Sequence, residues 1–367
     1  MKAVGIILAG GGSERLQTLS SKRAVAAMPL AGTYRSIDFA LSNMSNSGIS
    51  TVAVVTQYSS RSLNFHLSSS KWWGFGRKQG GLFLLNPTIT PENNSWYRGT
   101  ADALIQNLDF IKERHEPYVV IASGDGVYKI DFNEVMERHI SSGAEVTVVC
   151  HKLPQAESAR FGLLTLDEEG RITHWAEKDE KKVPDGEVTV NCGIYVIRRR
   201  HLIQLLEECQ REGKFDLVRD IFLKKLAEKR IMSFMHEGYW MNIATLESYF
   251  ACNKDLLNPA LRNFFFKQYP VIHTKVDDDP PAKFNGNAEV KNSLIAGGSI
   301  INGVVEDSVL FEKVYVGDGS RVKNCILMDD VFIADGVHLE NCIVESKTRI
   351  PEGTRTIGDP GHIPVLS

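Results

Sequence analysis

A chain of 367 residues is long enough for two domains, or for one large domain with an appendage, and for a sizeable buried core. It is 43% apolar and 24% charged with a formal net charge of −3, so nothing in it predicts general affinity for nucleic acid or for anionic membranes. No stretch approaches the roughly 20 apolar residues of a bilayer span, and the six cysteines contain no CxxC pair, so the expectation is a cytoplasmic protein with reduced thiols.

The N-terminal segment VGIILAGGGSERL, residues 4–16, is an apolar strand run that enters a glycine turn at once. The apolar run is too short for a signal peptide, and no small-residue cleavage pattern follows it. Glycines such as Gly10, Gly11 and Gly12 let backbone N–H groups approach a phosphate closely, because no Cβ blocks the way. Glu14 stands in the same turn, where the negative charge of a polyphosphate would sit. Two unit charges about 4 Å apart repel by roughly 4 kcal/mol at an effective dielectric of about 20. A tight strand-to-helix turn with no ligand is the plain alternative.

Up to about residue 255, short apolar runs alternate with amphipathic segments. Strands are predicted at 4–8, 51–56, 118–122, 145–150 and 193–197, and helices at 37–47, 101–113, 133–142 and 215–228. Alternation of this kind implies crossover units and a mostly parallel sheet, with ligands beyond the carboxyl ends of the strands. The acids and prolines of DDDPP, residues 277–281, mark a linker.

Beyond the linker a 17-residue period appears. Val309, Ile326 and Ile343 superpose, as do Val316, Ile333 and Ile350, and as do Gly319, Gly336 and Gly353. Short β-runs with a glycine turn at fixed period mark a β-solenoid, whose coils bury their apolar faces on one another. Cys325 and Cys342 then stack in adjacent coils as small inward residues. The last coil leaves an unpaired edge, which argues for subunit contacts: a tetramer, homomeric when the chain is made alone.

Both halves together resemble the bacterial glucose-1-phosphate adenylyltransferases. The resemblance rests on LAGG (8–11), RAVAAMPLAGTYRSIDFALSN (23–43), VVTQY (54–58), WYRGTADA (96–103), SGDGVYKID (123–131), RFG (160–162), EK (177–178), GIY (193–195) and YWMNIAT (239–245). It implies an α/β fold, a Rossmann-like nucleotidyltransferase domain over residues 1–255, then a linker (256–284) and a left-handed parallel β-helix (285–367). It implies nucleotide contacts at Gly10, Gly11, Gln57, Gly99 and Thr100, and sugar-phosphate contacts at Gly162, Glu177, Lys178 and Asn191. Arg15, Asp125 and Lys178 match catalytic positions. Asp125 matches one of two Mg²⁺ acids, and Asn242 stands at the second.

Several positions depart from the family pattern. Ser13 takes the place of a glycine and Glu14 that of a hydroxyl residue in the phosphate turn. Val25 replaces a lysine, Ala26 a proline, Gly126 a histidine, Asp179 a proline and Ala244 a glycine. An amide oxygen at Asn242 brings no charge to a hard, strongly hydrated ion. These losses look like the GlgD-type accompanying subunit, which is thought to join a catalytic GlgC-type partner in a mixed tetramer and modulate it. Two other readings stand beside it: a competent enzyme using Mg²⁺, and a sensor of ATP, glucose 1-phosphate or another sugar phosphate acting through subunit contacts. Lys22, Arg23 and Arg35 form a small basic set, either surface solubility or an anion site for a phosphorylated effector, since family members are regulated through basic residues in this region.

Overall fold

The computed structural model describes residues 2–76, 80–89, 95–177, 186–359 and 361–367. Two compact units are present, and neither is continuous in sequence. The first comprises Met1–Gly11, Phe39–Ser60 and Trp73–Trp240; the second comprises Gly12–Asp38, Arg61–Trp72 and Met241–Ser367.

The first unit is built on a nine-stranded sheet: β1 (Ala3–Leu8), β2 (Thr51–Val55), β3 (Gly81–Leu85), β4 (Tyr118–Ser123), β5 (Val146–Pro154), β6 (Gly162–Leu166), β7 (Ile172–Glu177), β8 (Glu187–Arg198) and β9 (Ile231–Met235). The path runs β7-β6-β8-β4-β1-β2-β3, with β5 pairing both β8 and β9. Strands β4, β1 and β2 are mutually parallel, as predicted, and β3, a strand absent from the sequence expectation, continues the parallel run. The rest is mixed, because β8 runs antiparallel to β4, β5 and β6, and β6 antiparallel to β7. Short connections explain this: β6 ends at Leu166 and β7 begins at Ile172, too close for a helical crossover.

Strand β8 changes partner along its length. Its first half meets β6 and its second half β4, with a register shift between Asn191 and Tyr195. Gly193 sits at that break with φ +72°. A Cβ there would be strained and would lie 3.3 Å from the Ser123 Cβ, so glycine is what the bend requires.

Alternate residues of β1, β4, β5 and β8, including Ile6, Ile121, Val148 and Ile197, are buried in one cluster with Leu104, Leu202, Leu205 and Leu206. Helix α1 covers Ser36–Asn46; the helices carrying these leucines are α2 (Thr100–Gln106) and a helix at Arg199–Arg211. Where one helix is predicted over 101–113, the chain forms two, broken at Asn107, whose amide bonds the Ala103 carbonyl and the Tyr97 hydroxyl. The helix predicted at 215–228 is a π-helical turn over Leu217–Phe222 followed by Leu223–Lys225. Asp216 caps it through the Val218 and Arg219 N–H groups.

The second unit contains three five-stranded parallel sheets, each taking one short strand from each coil. Val309, Ile326 and Ile343 pair with one another, as do Val316, Ile333 and Ile350, at the predicted stride of 17. The coil leading to Val309 is two residues shorter, since Leu294 pairs with Val309 and Ile300 with Tyr315, whereas Lys283 pairs with Ile300 at the full stride. Leu310, Leu327, Val344, Val322 and Leu339 fill the interior, each fully buried. At about 1.5–3 kcal/mol per buried aliphatic side chain, stacking of coils carries this unit. Gly319, Gly336 and Gly353 turn with φ between +64° and +69°. Cys325 and Cys342 are buried free thiols, with sulfurs 3.5 Å apart.

Helices Leu246–Asp255 and Pro259–Phe266 belong to the same unit, the second lying inside the stretch read as a linker. The segment Gly12–Asp38 joins them: Tyr249 Oη donates to the Pro29 carbonyl at 2.8 Å, and Asn253 Oδ1 accepts from the Ala31 N–H at 3.1 Å.

Candidate functional site

The carboxyl ends of β1, β2 and β4 border a cavity of about 560 Å³ in the first unit. Gly10, Gly11, Gln57, Gly99 and Thr100 line it, and so do Glu177 and Asn191. Seven positions assigned to nucleotide or sugar phosphate therefore share one cavity. A Cβ on Gly11 would meet nothing within 4 Å, so the backbone there is open to a ligand. Gly99 is a glycine for a different reason. A Cβ would lie 2.4 Å from the Phe215 carbonyl oxygen, which accepts from the Ala101 and Asp102 N–H groups.

Gln57 holds the loop before α2 in place. Its Oε1 accepts from the Tyr97 N–H at 2.6 Å and its Nε2 donates to the Tyr97 carbonyl at 3.2 Å. On the opposite wall, Asn191 Oδ1 accepts from the Gly193 N–H and Asn191 Nδ2 donates to Tyr195 Oη, both at 2.8 Å. Burial raises the Tyr195 hydroxyl well above its ordinary range, so it remains a neutral donor. Gly162 does not line the cavity but makes room for it: a Cβ would lie 2.5 Å from Glu177 Oε2 and 2.7 Å from Trp175 Nε1. Lys178 lies outside the described residues.

Asp216, Tyr195 and Ser123 also line the cavity and were not singled out from the sequence. Asp216 carried a usable signal, an acid directly before an apolar helical run. Its Oδ2 is reached by Thr100 Oγ1 at 3.5 Å, which ties the cap to another residue of the cavity wall.

Arg15 is exposed, as are Gly12 and Glu14. Asp125 is half-buried, with Oδ1 accepting from Ser123 Oγ at 2.5 Å. Gly126 is a glycine because the Tyr128 ring fills the adjacent space: a Cβ would lie 2.9 Å from Tyr128 Cε1. In the second unit, Ser13 Oγ donates to the Ala244 carbonyl at 2.5 Å, and Asn242 Oδ1 accepts from the Ala244 N–H at 3.0 Å. The residues present suit Mg²⁺ poorly. At one family metal position the oxygen belongs to a neutral amide already engaged with backbone, and no cluster of three or more His, Cys, Asp or Glu side chains fit for a metal occurs among the described residues.

The basic set is not gathered as a free anion site. Lys22 is exposed. Arg23 is 8% exposed and bonds Glu345 Oε1 at 2.5 Å and Ser346 Oγ at 3.2 Å. Arg35 reaches Asp329 Oδ2 at 3.2 Å. Two of the three cations are thus already matched by carboxylates from turns of the β-helix.

No helix among the described residues is long and apolar enough to cross a membrane. The family model for nucleotidyl transferase matches residues 4–259, and that for the GlmU-like C-terminal hexapeptide matches residues 280–361, in accord with a left-handed β-helix. The glucose-1-phosphate adenylyltransferase of Thermosipho melanesiensis is 39% identical over 322 residues, 87% of this chain and 77% of that protein. The protein of the same name from Clostridium perfringens is 38% identical over 330 residues, 88% of this chain and 82% of its own. That from Halalkalibacterium halodurans is 36% identical over 324 residues, 87% and 83% respectively. With both halves matched and its glycine turn, Gln57 and Asn191 assembled around one cavity, the chain belongs to the glucose-1-phosphate adenylyltransferase family.

Proposed function

We propose that this chain is a GlgD-type subunit of glucose-1-phosphate adenylyltransferase, weakly catalytic or non-catalytic, that modulates a GlgC-type partner in a mixed tetramer of glycogen synthesis. Its relatives carry the name of an enzyme that joins ATP and glucose 1-phosphate into ADP-glucose and pyrophosphate. Such a transfer depends on positioning and on cations that neutralise charge developing on the phosphates. The observation that carries the reading is the state of Asn242 and Ser13. The oxygen at one metal position serves the Ala244 N–H, and the hydroxyl in the phosphate turn is tied to the Ala244 carbonyl. Glu14 adds an exposed carboxylate to the same turn, and Val25 is a buried aliphatic where the family has a phosphate lysine.

The cavity formed by Gln57, Glu177, Asn191 and Tyr195 supports retention of ligand binding. Occupancy by a nucleotide or sugar phosphate is then a signal passed through subunit contacts rather than the start of turnover.

The test is pyrophosphate release from ATP, glucose 1-phosphate and Mg²⁺, measured with this chain alone and then with a GlgC-type partner. The expected result is little or no turnover alone and changed partner kinetics on mixing. Robust turnover by the isolated chain, abolished by Asp125→Ala, would establish the competent enzyme instead. Unchanged partner kinetics would remove the regulatory role.

A further inference from the structure

A second cleft, of about 370 Å³, opens in the first unit and shares Tyr97 and Arg98 with the candidate cavity. Gln106 and Asn107, at the end of α2, and Lys214, just past the helix at Arg199–Arg211, also line it. None of these three lines the larger cavity.

The floor of this cleft is preorganised. Asp102 is 3% exposed, and its carboxylate accepts from the Arg98 N–H at 2.9 Å, from Arg98 Nη2 at 3.0 Å and from Gln106 Nε2 at 2.9 Å. The Arg98 guanidinium lies 3.9 Å from the centre of the Phe215 ring. A side chain that is 55% exposed would ordinarily sample many rotamers. Paired with Asp102 and stacked on Phe215, this one holds its remaining N–H groups in place before any ligand arrives.

Unspent capacity surrounds that fixed cation. Asn107 Nδ2 donates to Tyr97 Oη and to the Ala103 carbonyl, both at 2.8 Å, which leaves the Asn107 carbonyl oxygen as an acceptor. Tyr97 Oη, serving Asn107 as acceptor, keeps its proton to donate, and burial raises its pKa. Gln106 retains its carbonyl oxygen and one N–H. Lys214 makes no ion pair among the described residues, although its charge is felt at Asp220. Arg98 and Lys214 set against Asp102 leave one positive charge in excess.

We propose that this cleft binds a small polyhydroxylated anion, its carboxylate or phosphate on Arg98 and Lys214 and its hydroxyls on Gln106, Asn107 and Tyr97. Occupancy reaches the candidate cavity through Tyr97, whose backbone is paired in both directions with Gln57. The inference stands apart from the catalytic reading and is tested without turnover.

The experiment is calorimetric titration of the full chain with gluconate and with glucose 6-phosphate, with sorbitol as the neutral control. Saturable binding of at least one anion and none of sorbitol is expected; which anion binds identifies the charged group. Lys214→Glu should weaken binding by about tenfold or more, as loss of a charge-assisted contact with added repulsion does. Lys214→Gln, which only removes the charge, should give a smaller loss in the same direction. Glu177→Gln, in the other cavity, should leave the affinity unchanged. Thermal unfolding of each variant confirms an intact fold. The proposal is overturned if neither anion binds, if sorbitol binds equally well, or if Glu177→Gln removes binding while both Lys214 variants retain it.

Discussion

The Ser13 hydroxyl donates to the Ala244 carbonyl oxygen across 2.5 Å, bridging residues 231 positions apart in sequence. Both positions depart from the family motif toward a residue with a Cβ, and the departure at Ser13 supplies the donor for this contact. The Ser13 carbonyl is engaged as well, accepting from Ser20 Oγ at 2.6 Å and from the Leu16 N–H at 3.1 Å. Ser13→Ala should cost about 1 kcal/mol, the usual worth of one part-buried hydrogen bond, measured by urea unfolding. Combining Ser13→Gly, Glu14→Ser and Asn242→Asp should raise affinity for ATP with Mg²⁺, because it restores a free turn and a charged ligand together. Calorimetry showing no gain in the triple variant would place the defect elsewhere, with Val25 the next position to restore.

Arg23 and Glu345 make the second informative pair. Glu345 is 1% exposed; Oε1 accepts from Arg23 Nη2 and the Ser346 N–H, while Oε2 is buried without a partner among the described residues. Arg23→Ala would leave a buried carboxylate uncompensated and should destabilise the chain by about 3–5 kcal/mol. Adding Glu345→Gln should recover part of that loss, so the double variant is more stable than the sum of the singles predicts. Strict additivity in denaturant melts would show that the pair is not coupled. The same pairing argues that added phosphate stabilises the wild-type chain little through Arg23, since a carboxylate already holds that cation.

Gly193 links backbone conformation to the ligand cavity. Gly193→Ala meets both a left-handed φ of +72° and a Ser123 Cβ at 3.3 Å, so a loss of about 1–3 kcal/mol is expected. The bond from the Gly193 N–H to Asn191 Oδ1 sits at the same bend, and its distortion should weaken glucose 1-phosphate binding. Retained binding with full stability would mean that β8 bends without needing glycine.

Much of this was legible because periodicity reports burial. The stride of 17 predicted the coil pairings from Val309 to Ile357, though not the closing pair Ile343–Val365, which is 22 residues apart, and the parallel core β1, β2 and β4 followed from short apolar runs. The antiparallel half was hidden because a strand's direction is set by the length of its connections and not by its own residues. Asn107 broke a helix that periodicity read as continuous, since its amide found partners at Tyr97 and Ala103 that composition does not reveal. In the site, Gly10 and Gln57 stand in the segments LAGG and VVTQY, and both line the cavity. The engagement of Arg23 with Glu345 depends on a contact 322 residues distant, which no local pattern encodes.

Glu312 gives a prediction with a defined sign. Burial, reinforced by Asp329 and Asp277 and opposed by Arg35, lifts its carboxyl from an ordinary 4.5 to about 7. The folded chain therefore holds this proton more tightly than the unfolded chain does. Its stabilising contribution is present in full below pH 4.5 and is lost as the pH rises from 4.5 through about 7, where the folded group ionises among like charges. Glu312→Gln keeps the shape of the protonated acid and removes the charge. At pH 8 the variant should exceed the wild type by about 1–3 kcal/mol, with the figure reduced by whatever solvent screens the half-buried group. At pH 4 the two should be nearly equal. Chemical denaturation at both pH values decides the matter: an equal difference at pH 4 and pH 8 would mean that Glu312 acts through packing rather than through its proton.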